Sequence, residues 1–274
     1  MLFGSALNSI TTIARLVVEE GEKGHGEGAG NVLEHVIDHT VIHLPTVLGV
    51  DLSITYHTIF MWVATAILLL VLPAVFGKRR MIPSGLGNAL EAIVVFLRED
   101  IINNYLGKDG KRYESYILTV FFFIVTNNLL GLVPGGASAT SDISVTATLT
   151  LITLGTVTFS GMKKYGIIGF WTGMVPSGIP VVLIPLMFVI EVLGLLAKHF
   201  ALAMRLFANM TAGHLTILSL IGLIFIFKSY VVAPFPIIGA AAVGVLEIFV
   251  AFLQAYIFTL LSSVYISMAL HQDH

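Results

Sequence analysis

The chain has 274 residues, of which 57% are apolar and only 11% charged, about half the charged fraction of a soluble globular domain. That composition excludes a soluble enzyme with a conventional core, and a formal net charge of -2 gives no electrostatic basis for binding nucleic acid. The absence of cysteine removes disulfides, thiolate metal sites and cysteine nucleophiles.

Residues 1–18 have Arg15 as their earliest cation and no small-residue cleavage signal, so they read as a short surface helix, not a cleaved targeting peptide. Residues 19–31 are rich in Gly and Glu without apolar periodicity, which predicts a flexible linker. Residues 1–50 thus form an N-terminal surface segment, and residues 51–274 a single transmembrane domain. Glu34, His35, Asp38, His39 and His43 put histidines at i, i+4 and i+8. That spacing suits either a metal or an interfacial helix with its polar face among headgroups. The second is the expectation, and no metal site is assigned.

A span needs about 20 apolar residues. Residues 58–77 carry no charge and end at Lys78, Arg79 and Arg80, which the positive-inside rule puts in the cytoplasm. Residues 83–112 mix a helical apolar spacing (Leu86, Leu90, Ile93, Val94, Leu97) with Arg98, Glu99, Asp100, Lys108, Lys111 and Arg112, which predicts an amphipathic helix on the cytoplasmic surface. Further spans are expected over residues 115–133 and 143–161, the latter returning to the basic pair Lys163 and Lys164. Residues 165–185 are broken by Pro176, Gly178, Pro180 and Pro185 and read as a re-entrant or in-plane segment.

From Leu186 to Lys228 no proline interrupts 43 residues, a length of about 64 Å as one helix and about twice the hydrocarbon thickness. A hairpin near Lys198 and His199 competes with one strongly tilted helix. The good helix formers Ala197, Ala201, Leu202, Ala203 and Met204 favour the continuous helix. Residues 237–270 form a second long segment with Glu247 its only acid or base. The fold class is therefore an all-α polytopic membrane protein with about five crossing helices, two of them long and strongly tilted, plus the surface helix. An odd number of crossings puts the N-terminus outside and the tail at residues 271–274 in the cytoplasm.

Between Tyr113 and Met268 the only cations are Lys163, Lys164, Lys198, Arg205 and Lys228, and the only acids Glu114, Asp142, Glu191 and Glu247. An ionisable side chain at membrane depth costs at least about 2.5 kcal/mol, so each is a functional candidate. At 100° per residue Glu191, Lys198, Arg205 and Asn209 share one helix face, beside a small-residue stripe of Gly194, Ala201, Ala208 and Ala212 that lets another helix approach. His214 points about 180° away from Arg205. On the last helix Glu247, Gln254 and Tyr265 fall within about 20° of one another. Two polar stripes on two long helices are the parts of an ion path.

Arg205 stays protonated at physiological pH and acts as a fixed charge, whereas His214 and Glu247 are suited to exchange protons. The plainer alternatives are a snorkelling Lys198 paired with Glu191 across the helix turns and a neutral histidine bonded to a backbone carbonyl. Asn127 and Asn128 either bond across helices or line an aqueous vestibule, and with Lys198 and Tyr265 they are secondary candidates.

The run Arg205-Leu206-Phe207-Ala208-Asn209-Met210-Thr211-Ala212-Gly213-His214, with Leu253-Gln254-Ala255-Tyr256-Ile257-Phe258 and Val264-Tyr265-Ile266-Ser267-Met268 downstream, closely resembles subunit a of F-type ATP synthases, from the first span to the C-terminus. The resemblance implies an ion-translocating stator subunit, non-catalytic by itself, with two offset half-channels that carry protons to and from carboxylates on a rotating c-subunit ring. It implies Arg205 as the essential arginine that prevents a short circuit, and Glu191, Asn209, His214, Glu247 and Gln254 as half-channel residues. Its implied partners are the c-subunit ring, the b-subunit peripheral stalk, the remainder of the complex and the lipid bilayer, with no cofactor and no nucleic acid.

The best-studied bacterial pattern has an acid after the arginine and a histidine on the last helix. Here His214 and Glu247 stand in exchanged order, which suggests that the two side chains work together. Gly131 stands where many relatives have an acid. No GxxxxGK[ST] run occurs, so ATP chemistry falls to partner subunits. A stand-alone proton-coupled transporter is the main alternative, and an inverted repeat, its expected mark, is not visible. A structural anchor whose charges only pair is the third. Basic cytoplasmic loops and the lack of a transit peptide point to a bacterial plasma (inner) membrane.

Overall fold

The computed structural model describes residues 40–42, 54–76, 85–133, 136, 138–175, 178, 180–227 and 233–271. Helix α1 (Tyr56–Phe76) is followed by α2 (Leu86–Leu97), which continues as a π-helical segment (Arg98–Leu106); the helix breaks at Gly107, and a 3-10 turn (Gly107–Asp109) leads into α3 (Gly110–Gly131). Then come α4 (Ile143–Thr172), α5 (Ile184–Phe227) and α6 (Pro234–Leu270). Five helical runs among the described residues are long and apolar enough to cross a membrane: Tyr56–Ala74, Gly87–Gly131, Ile143–Thr172, Ile184–Ile224 and Pro234–Leu270. The all-helical membrane fold with five spans agrees with the expectation, and α5 is the continuous 44-residue helix, not a hairpin.

The helix predicted over residues 83–112 is present as α2 and the π segment, and it is set off from the following span at Gly107, whose φ of 50° and ψ of -120° depart from helical backbone. In the π segment Ile101 and Ile102 are both buried. The wider turn directs these neighbours into two different apolar clusters, Ile101 with Phe121, Leu202 and Phe258, and Ile102 with Ile117, Phe170 and Ile266. Two contacts fasten the segment: Arg98 donates to Glu114 Oε1 from Nε at 2.8 Å, and Tyr256 donates to Asp100 Oδ2 at 2.6 Å.

The expected re-entrant stretch over residues 165–185 starts at a break: Gly166 has φ 79° and ψ 166°, which only glycine adopts readily, and beyond it the chain is helical again to Thr172, with Phe170 folded back against Gly161. Lastly, Thr40–Ile42 is a strand (β1) paired antiparallel with Ile54–Thr55 (β2), where an interfacial helix was expected. The β-branched run Thr40-Val41-Ile42 favours extended backbone. The candidate surface helix and linker over residues 1–31, together with Glu34, His35, Asp38, His39 and His43, lie outside the described residues.

The chain divides into two compact units, Met1–Tyr56 with Thr211–Glu247, and His57–Met210 with Ile248–His274. In the second, helix association cannot draw on the hydrophobic effect once lipid replaces water, so packing and interhelical hydrogen bonds of about 0.6 to 2 kcal/mol each must hold it. Such bonds are present. Tyr116 and Thr153 join α3 to α4 at 2.8 Å, and Asn128 Nδ2 donates to the Ala251 carbonyl of α6 at 3.2 Å. Thr140 donates to Asn128 Oδ1, and with that hydrogen committed Ser138 is the donor to Thr140 at 2.7 Å. Asp142 caps α4, its carboxylate accepting from the Ser144 amide at 2.8 Å.

Gly131 ends α3 directly against the chain leading to α4. A Cβ there would lie 2.9 Å from Ser138 Cα and 3.0 Å from Ser138 N, contacts with backbone that cannot swing aside. Gly131→Ala is therefore expected to lose about 1 to 3 kcal/mol through overpacking, read as a lower unfolding midpoint of the detergent-solubilised protein. An unchanged midpoint would mean that the loop yields freely.

Candidate functional site

Within the larger unit, the polar face predicted for α5 is present and lies on its surface. Lys198, Ala201, Arg205, Ala208 and Asn209 are exposed, while Leu202, Ala203, Leu206 and Met210 on the other side are buried. A Cβ on Gly194 would meet no atom within 4 Å. This is a shallow strip of small residues with one guanidinium in it. Among the described residues Arg205 makes no ion pair and no hydrogen bond. At this strip Asn209 Nδ2 donates to Gln254 Oε1 at 2.9 Å, tying the two long helices together. Gln254 is fully buried and its Nε2 has no partner.

Glu191 and Lys198 do not pair within ion-pair distance, so the plain salt-bridge reading fails among the described residues. Seven residues span two helical turns, about 10 Å along the axis, and neither side chain bends to close it. Both instead line an open cleft of about 310 Å³ together with Tyr265, Phe170, Met174 and His271. His271 Nε2 lies 4.0 Å from Asp109 Oδ2.

The smaller unit holds the exchanged pair. His214 Nδ1 lies 3.5 Å from Glu247 Oε1, with 8% of the glutamate side chain exposed. Gly213 makes room for it, since a Cβ at that position would fall on the Glu247 carboxylate. Glu247 Oε2 and His214 Nε2 are buried without a partner among the described residues. Buried polar atoms are nearly always satisfied, so these two are positions for water or for a group from outside the chain. A carboxylate and an imidazole in reach of one another can pass a proton between them.

The two asparagines separate. Asn128 bonds across helices as described, whereas Asn127 Nδ2 donates to the Phe123 carbonyl of its own helix at 2.8 Å and its Oδ1 is buried and unpartnered. Two groups escaped sequence reasoning. Asp100 belongs by sequence to the charged run of the expected surface helix, but its carboxylate accepts the Tyr256 hydroxyl hydrogen. His199 has no counterpart on the charged face, and only its burial, 3% exposed, draws attention to it.

Long apolar helices that carry a cation on a strip of small residues and a histidine–carboxylate pair define the class: a polytopic helical membrane protein with ionisable groups on its two longest helices. The family model described as ATP synthase A chain matches residues 58–267. ATP synthase subunit a of Chloroherpeton thalassium is 43% identical over 288 residues, covering 93% of this chain and 86% of the relative. That of Chlorobium phaeobacteroides strain BS1 is 46% identical over 275 residues, covering 93% and 81%. ATP synthase subunit a 2 of Prosthecochloris aestuarii is 41% identical over 292 residues, covering 100% and 90%. The chain belongs to the ATP synthase subunit a family.

Proposed function

We propose that the chain is the ion-translocating stator subunit of an F-type ATP synthase, carrying protons through two offset half-channels to and from carboxylates of a rotating c-subunit ring. The observation that carries this reading is Arg205. It is exposed on a strip of small residues and has no counter-charge among the described residues. A permanent cation at membrane depth with no acid paired to it among the described residues calls for one in a neighbour, and the small residues admit a neighbouring helix closely.

A ring carboxylate passing Arg205 is held ionised. Having given up its proton to one half-channel, it must take another from the second before it faces lipid, where a bare charge is prohibitive. Arg205 cannot itself relay a proton, so it blocks the short circuit and makes proton flow require rotation. Glu191, with Lys198 and Tyr265 around its cleft, serves one half-channel. His214 and Glu247 are the proton-exchanging pair of the other, and Asn209 and Gln254 are polar lining. The driving force is the membrane potential, about 2.3 kcal/mol per charge per 100 mV, plus any pH difference. ATP chemistry belongs to partner subunits, and the b-subunit stalk anchors the chain. Residues 51–274 act as one domain in a bacterial plasma membrane, N-terminus outside and C-terminus cytoplasmic.

The test is purification through a tag on this chain. A ring of small proteolipid subunits is expected to come with it, and vesicles carrying the complex should acidify when ATP is added. Proton uptake at a comparable rate by vesicles holding this chain alone would favour a stand-alone transporter instead.

A further inference from the structure

Lys198 and His199 are neighbours in sequence with opposite fates. Lys198 is exposed along the cleft, while His199 is buried, 3% exposed, on the inner side of α5. Its Nδ1 lies 2.8 Å from the Leu195 carbonyl, an acceptor, so Nδ1 carries the hydrogen. The other nitrogen, Nε2, is then the basic lone pair of a neutral ring, and it is buried with no partner among the described residues. A histidine kept only for packing would be served as well by an apolar residue, and one kept for hydrogen bonding would use both nitrogens.

The ring also has a particular neighbour. Its centroid is 5.1 Å from that of Tyr265, with the planes tilted by 44°. Tyr265 in turn lines the cleft with Glu191, Lys198 and His271. On the same helix as Tyr265, Ser263 is fully buried and its Oγ is also without a partner. The ring that carries this basic nitrogen thus lies beside Tyr265, one wall of the cleft that Glu191 and Lys198 also line, in an interior that holds another unsatisfied polar atom. Lys198 beside it in the chain and Tyr265 on α6 are the titratable groups that the structure puts next to it.

We propose that His199 is a proton-carrying station behind the cleft, charging and discharging at Nε2 as protons pass between the cleft and the interior of the helix pair. The step is a plain proton transfer. The Nε2 lone pair takes a proton from hydronium or from a carboxylic acid such as protonated Glu191, leaving water or carboxylate behind. The same N–H bond later breaks to release the proton to the next acceptor, while the Nδ1 hydrogen stays on the Leu195 carbonyl. This role rests on the proton pathway proposed above.

The experiment uses the whole complex in inverted vesicles with a protonophore present, so that ATP turnover is limited by translocation and not by back-pressure. Arg205→Ala sets the blocked baseline. His199→Gln, which keeps an amide in place of the ring, and His199→Ala are each expected to lower turnover at least about tenfold, the lower range of what a positioned acid–base group contributes. Added imidazole should restore His199→Ala several-fold and leave Arg205→Ala unchanged. Turnover of His199→Gln near that of the native chain would overturn the proposal. So would a loss in His199→Ala that imidazole does not relieve, or failure of both variants to assemble, since each is the signature of a packing residue. Native turnover in Arg205→Ala would instead strike at the underlying pathway.

Discussion

Arg205→Ala, in a complex shown by co-purification to be assembled, is expected to abolish ATP-driven acidification of inverted vesicles. A cation about 4 to 5 Å from a carboxylate is worth roughly 3 to 4 kcal/mol at an effective dielectric near 20. Its removal shifts the carboxylate toward the protonated form by two to three orders of magnitude, at about 1.4 kcal/mol per factor of ten. A ring site that stays protonated at the stator gives up no proton to the half-channel, so acidification and the ATP turnover coupled to it are lost together. Arg205→Lys should remain severely impaired, because an ammonium in a low-dielectric setting can itself lose a proton whereas a guanidinium cannot. The exposed position of Arg205 makes the result interpretable, since no apolar core is disturbed. Acidification near the native rate would reduce the charges on α5 to structural elements.

The second large effect concerns Glu247 and His214, 3.5 Å apart. Glu247→Gln keeps the volume and removes the ability to give up a proton, and is expected to slow acidification at least about tenfold. The single variants His214→Glu and Glu247→His should each be poor. The first sets two carboxylates against one another, and the second two imidazoles. Their combination restores one acid and one imidazole in exchanged order and is expected to recover most of the activity lost in the singles. Such recovery is a coupling between neighbours, which independent sites do not show. A double variant no better than the worse single would mean that the two side chains act separately.

Sequence reasoning reached the long helices because their cause is local: no proline between Leu186 and Lys228, and good helix formers where a hairpin would have to turn. The exchange of residue types at His214 and Glu247 suggested that the two work together, and they lie 3.5 Å apart, whereas helical phase put Asn209 and Gln254 on polar stripes without showing that they meet. The alternative of a Glu191–Lys198 pair is not met among the described residues, because a shared face at seven residues fixes direction but not distance. Sequence reasoning missed the π segment, since charges at Arg98, Glu99 and Asp100 mask the two adjacent isoleucines that the wider turn buries. His199 stayed hidden for a different reason. Burial of one histidine depends on which side of α5 meets α6, and nothing periodic in the chain reports that.

The last carbonyl of α6 receives two donors from α4: Lys164 Nζ at 2.6 Å and Tyr165 OH at 2.8 Å, both on Leu270. A helix end normally leaves its final carbonyls to solvent, and here a cation also sits where the helix dipole is negative. For a stator the consequence is mechanical. A beam pushed sideways at mid-length deflects far less when its end is clamped than when it hangs free, and deflection falls steeply as the free length shortens. In the stator role proposed above, the clamp at Leu270 would make the far end of α6 a fixed support, so that thrust from a turning neighbour passes to α4 instead of being dissipated in bending.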